Sequence, residues 1–117
     1  DLTGEHEQCA AYSNGTTAMI GNDNDGASTK GRIESVTIAT FGNATAFGSL
    51  TTSEKMNSGN IVANATRALA SVGFSDTTSA SSNTVEYFTI ASAGNGTDFG
   101  DLTQARHSAR DASASGD

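Results

Sequence analysis

Along residues 33–40 apolar and polar side chains alternate, with Val36 and Ile38 on one face of the chain. Residues 85–92 repeat the pattern, with Phe88 and Ile90 in the equivalent places. A spacing of two between β-branched and aromatic side chains predicts a strand. Val85 and Tyr87 add apolar surface on the other face, so this strand is expected to be covered on both sides. Gly42-Asn43 and Gly94-Asn95 follow, residues that accept positive φ and are expected to close tight turns. Phe47-Gly48 and Phe99-Gly100 then place an aromatic anchor before a second bend. The unit reads strand, turn, short extended segment, turn. Phe47 and Phe99 are expected to be equivalent buried anchors.

The two stretches belong to one repeat. Residues 33–51 and 85–103 are identical at 11 of 19 positions at a single offset of 52. Each copy is therefore one supersecondary unit. A Leu-Thr pair recurs at Leu2-Thr3, Leu50-Thr51 and Leu102-Thr103, giving periods of 48 and 52 residues. That length suits a blade of three or four short strands. The units are expected at 1–49, at 50–101, and, as an incomplete third, at 102–117. Within the first, residues 9–12 and 16–21 predict a hairpin around Ser13-Asn14-Gly15. Asn64 and Thr66 stand 50 residues after Asn14 and Thr16, so residues 60–72 should form its counterpart. One local signal competes. Residues 54–72 are Ala-rich and Pro-free, with Met56, Ile61, Ala65 and Leu69 loosely at helical spacing. The repeat partner carries Asn14-Gly15 and cannot easily be helical, so the hairpin is expected.

Residues 85–106 carry the run V-E-Y-x-T-I-A-S-x-G-N-x-T-D-F-G-D-L-T-x-A-R. This run resembles the signature of kelch-like repeat proteins encoded by marine tailed phages and related viruses. In those repeats a Thr-Arg pair follows; Thr66-Arg67 matches it, and Thr16-Thr17 departs at the second residue. The resemblance implies an all-β fold of kelch-like repeats, arranged as β-propeller-type blades of short antiparallel strands. It also implies a non-enzymatic virion or surface protein, and it transfers no site residues.

Composition agrees with units that lean on one another. Of 117 residues 35% are apolar and 6% aromatic, near the poor end of what offsets folding entropy in a self-contained core. The formal charge of −7 argues against nucleic acid or an anionic membrane as partner, because the six Lys and Arg residues are scattered. No apolar run approaches the ~20 residues of a membrane span. Cys9 is the single cysteine, so no intrachain disulfide can form, and its small neighbours Ala10 and Ala11 predict a buried structural thiol. With two full periods and part of a third, the chain is expected to be a window on a longer array. Alone, it should leave sheet faces uncovered.

No constellation for catalysis emerges. Asn22-Asp23-Asn24-Asp25-Gly26 invites a calcium reading, but with Gly26 sixth in an EF-hand loop, Gly21 and Arg32 fall where ligands are required. His6 and His107 follow Leu-Thr pairs without Cys or His at zinc-ligand spacing. Neither G-x-S-x-G nor a Gly-rich phosphate loop occurs. Catalytic, cofactor and metal residues are therefore all expected to be none. Asn14, Asn43, Asn64 and Asn95 open N-x-[ST] sequons in two periodic pairs, which predicts structural turns; glycosylation would need a eukaryotic secretory pathway. The expected function is a non-catalytic structural or host-contacting part of a virus particle, such as a tail, fibre or other appendage. Its location would be the virion or the extracellular space. Its partners would be other virion proteins or further copies of the same repeat, with host-surface glycans as a further partner. The alternatives are a glycan-binding, lectin-like propeller and a bacterial surface adhesin. A lectin needs aromatic platforms, whereas Tyr12, Tyr87 and most phenylalanines sit at core-like strand positions.

Overall fold

A computed structural model of the chain describes residues 1–3, 9–21, 31–51, 54–55, 60–75 and 78–108. The protein is all-β, and the described residues form two antiparallel sheets. The first is a four-stranded meander of β1 (Ala10–Ser13), β2 (Thr17–Gly21), β3 (Arg32–Thr37) and β4 (Thr45–Ser49). The second repeats it with β6 (Ile61–Ala63), β7 (Arg67–Ser71), β9 (Ala80–Thr89) and β10 (Thr97–Arg106). Two short strands, β5 (Glu54–Lys55) and β8 (Phe74–Ser75), extend it along the start of β9.

The repeat extends to the hydrogen-bond register. Tyr12 pairs with Met19 and Met19 with Ser35; at the same places Val62 pairs with Leu69 and Leu69 with Tyr87. A bulge falls at Phe47 in β4 and at Phe99 in β10, each between partners on the preceding long strand. Both hairpins are closed by one device. Asn14 Oδ1 accepts from the Thr16 and Thr17 amides at 3.0 and 2.9 Å, and Asn64 Oδ1 accepts from the Thr66 and Arg67 amides at 2.9 Å. The asparagine side chain thus stands in for a backbone turn. Residues 60–72 form a hairpin despite their helix-like composition. Those turn bonds and the cross-strand pairing outweigh a weak helix propensity.

Because side chains alternate across a strand, each sheet has two faces. Tyr12, Met19, Ile33 and Phe47 of the first sheet pack on Ile61, Ala63, Ala68, Ala70 and Phe88 of the second. The Phe47 and Phe88 rings meet edge to face with centroids 6.4 Å apart. The alanines of β6 and β7 let the sheets approach, and the larger Met19, Ile33 and Phe47 fill the space opposite. Small against large gives the interior density that packing requires.

Four expectations need correction. β9 is fully covered on one side only, with Val85 and Tyr87 half-buried on the other. Neither Gly42 nor Gly94 takes a positive φ. The turns close earlier, where the Thr40 amide donates to the Thr37 carbonyl and the Ser92 amide to the Thr89 carbonyl. Phe99 is 57% exposed although its counterpart Phe47 is 7% exposed, because the second sheet covers Phe47 and no further sheet among the described residues covers Phe99. Cys9 is exposed rather than buried: it precedes β1, outside the packed face of the sheet.

Candidate functional site: the contact between the two sheets

β3 and β9 each place a glutamate in the middle of an apolar alternation, and both Glu34 and Glu86 are fully buried. A buried carboxylate is costly unless hydrogen bonds replace its water. The required donors come from the Leu-Thr pair that precedes each sheet. The Thr51 amide reaches Glu86 Oε1 and Oε2 at 3.1 and 3.0 Å, and the Thr51 hydroxyl donates to Oε1 at 2.5 Å. In the first sheet the Thr3 amide donates to Glu34 Oε2 at 3.2 Å, and the Thr3 hydroxyl donates to Oε1. Arg32 Nε adds an ion pair to Glu34 Oε1 at 3.3 Å.

The Gly-Asn segments hold the other half of the contact. The Ser49 amide donates to Asn95 Oδ1 at 3.2 Å, and the Gly96 amide donates back to the Ser49 carbonyl at 2.8 Å. The same pair recurs one unit earlier: the Asp1 amino group donates to Asn43 Oδ1 at 2.6 Å and the Ala44 amide to the Asp1 carbonyl at 2.8 Å. The Gly94 amide also reaches the Phe47 carbonyl at 2.8 Å. Gly48 lies so close that a Cβ there would overlap the Gly94 carbonyl. At Gly96 a Cβ would run into the Glu86 carboxylate and stand 3.1 Å from Phe88 Cζ. The first unit has Ala44 in place of Gly96 and Val36 in place of Phe88, so the extra methyl is matched by a smaller neighbour.

These contacts form a clasp between each Leu-Thr segment and the sheet that follows it, and around Leu50-Thr51 it also joins the end of the first sheet to the second. A Ser-Leu-Thr or Asp-Leu-Thr segment lies across the Gly-Asn segment that follows it, its threonine on the buried glutamate; the leucine is in the core at Leu50 but 41% exposed at Leu2. Leu50 is 5% exposed in that position. Glu34 and Glu86 are among the identical positions of the two copies and the Leu-Thr pairs recur with them, but nothing in the sequence makes them partners. The available signal was a glutamate on the apolar face of a strand in both copies, recurring together with a threonine of fixed type.

The remaining sites are dispersed. The Asn22–Gly26 loop and His6 lie outside the described residues. His107 is exposed, with Nδ1 2.7 Å from the Ser81 hydroxyl and its ring edge-on to Phe74. Among the described residues, no three His, Cys, Asp or Glu side chains converge to hold a metal ion. Of the four sequon asparagines, Asn14 and Asn64 build hairpin turns, while Asn43 accepts from Asp1 and Asn95 from Ser49 of the preceding unit. Phe41 is fully exposed in the segment after β3, and its repeat counterpart is Ala93. No protein-family model matches the chain, and no curated protein matches it significantly.

Proposed function

We propose that the protein is a non-catalytic scaffold of kelch-like, β-propeller-type blades serving as a structural or host-contacting component of a virus particle. The observation that carries this reading is the Thr-Glu clasp, which recurs at Thr3–Glu34 and Thr51–Glu86 in two successive units. A buried polar contact that recurs in successive units fixes how each sheet is joined to the segment before it, and sheets joined in that way display similar loops along one rim. Such a rim suits many weak contacts made together, as in lattice packing or adhesion to a host surface. The phage-like signature at residues 85–106 supports the particle as the setting. Antibody raised against the chain should label an appendage of purified virus particles in electron micrographs. Protein found in infected cells but never on particles would sink the proposal.

Phe41 favours a second reading, that of a glycan-binding module. A fully exposed aromatic ring that is not part of the repeat is a natural stacking platform for a sugar face. Glycan binding lost in Phe41→Ala, with the fold intact by circular dichroism, would support it.

A further inference from the structure

The two inner faces of the molecule have repeat counterparts on its two outer faces. Phe47, 7% exposed between the sheets, corresponds to Phe99, 57% exposed on the outer face of the second sheet. Ile90, 9% exposed between the sheets, corresponds to Ile38, 49% exposed at the edge of the outer face of the first. We propose that copies of this chain associate head to tail, with the Phe99 face of one copy packing on the Ile38 face of the next. The contact would repeat the one between the two sheets of a single chain.

Three observations argue for a second copy as the occupant. First, the pairing register of the two sheets matches residue for residue, so the outer faces present the same backbone geometry as the inner ones. Second, the receiving face has room for the ring. Where Phe88 meets Phe47 inside the molecule, the first sheet has Val36, beside a shallow open hollow bounded by Gly42, Asn43 and Thr45. Third, the polar half of the clasp exists on both partners. Glu34 and Asn43 already hold Thr3 and Asp1, while Leu2 stays 41% exposed where Leu50 is buried. Asp101 and Thr103 of a second copy carry the amide, carbonyl and hydroxyl that Ser49 and Thr51 use within the chain, the Asp101 amide taking the place of the Asp1 amino group. Replacing residues 1–3 by 101–103 therefore exchanges like hydrogen bonds for like and adds the burial of Phe99 and Leu102.

Such a contact is heterologous, joining two different surfaces, and it builds a ring if the rotation closes and a filament if it does not. The proposal rests on the two outer faces and the clasp groups and not on where the protein is found, so its failure would leave the particle reading untouched. The test is sedimentation of the full chain over a wide concentration range, in enough salt to screen the charge of −7 on each copy. The wild-type chain should grow from monomer to larger species. Phe99→Asp and Ile38→Asp, both at exposed positions and checked for folding by circular dichroism, should each remain monomeric. Mixed together they should give a one-to-one dimer that grows no further, because one variant keeps the receiving face and the other the inserting face. A wild-type chain that stays monomeric at every concentration would overturn the proposal. So would association unaffected by either variant, or a mixture of the two that fails to pair.

Discussion

The hydroxyl of Thr51 donates to the buried carboxylate of Glu86 at 2.5 Å, tying the segment that follows the first sheet to β9 of the second. Thr3 and Glu34 make the equivalent contact one unit earlier, so the clasp belongs to the repeat. A carboxylate in that position is held by few donors, and losing one leaves a buried acceptor short of a partner. Thr51→Val should therefore lower stability by about 1–3 kcal/mol, read from denaturant melts. Thr103→Val changes the same repeat position where it is exposed, and should stay within about 0.5 kcal/mol of the wild type. Equal losses in the two variants would show that the carboxylate contact is not the source.

The two phenylalanines at one repeat position should behave differently. Phe47 lies between the sheets, and its truncation to alanine should cost about 3–5 kcal/mol. Phe99 touches Tyr87, with ring centroids 6.4 Å apart, but faces solvent, so Phe99→Ala should cost less than about 1 kcal/mol in the monomer. Melting both variants at low protein concentration checks the pair. A larger loss at Phe99 would mean that its exposed face is covered in solution.

Glycines of one unit should separate by where a methyl would go. Gly48→Ala drives a Cβ into the Gly94 carbonyl, backbone against backbone, and should destabilise by about 1–3 kcal/mol as the sheets are forced apart. Gly42→Ala meets open space without a positive φ, so reduced freedom of the unfolded chain should leave it neutral or more stable by up to about 1 kcal/mol. Thermal midpoints of the two variants should move in opposite directions or differ by several degrees.

The hairpin turn after β6 depends on one acceptor. Asn64 Oδ1 takes hydrogen bonds from the Thr66 amide, the Thr66 hydroxyl and the Arg67 amide at 2.9–3.1 Å. Asn64→Ala should cost about 1 kcal/mol, moderated by the exposure of the turn. Asn64→Asp keeps the acceptor and should recover most of the loss. Failure of the aspartate to recover stability would assign the effect to backbone preference instead.

Local pattern was enough to determine the long strands β3 and β9, the hairpin turn at Asn14 and the existence of two equivalent units. Alternation at residues 33–40 and 85–92, the Asn-x-Thr turns and the 52-residue offset are all properties of short segments. The hairpin at residues 60–72 was legible only through its repeat partner, because its alanine-rich composition by itself favours a helix. What covers each face was decided by the tertiary structure. Phe47 and Phe99 have the same local surroundings and opposite exposure, since burial there depends on whether another sheet lies above. Glu34 and Glu86 could not be read as buried from charge alone. Their donors, Thr3 and Thr51, lie 31 and 35 residues away and arrive only when the Leu-Thr segment folds onto the long strand. The Gly-Asn segments show the same limit: their composition predicts a positive-φ turn, yet they serve as the surface on which the preceding unit lies. A sequence repeat specifies the unit because the unit is held by local register. Its ends are specified by contacts between units, and those exist only once the units meet.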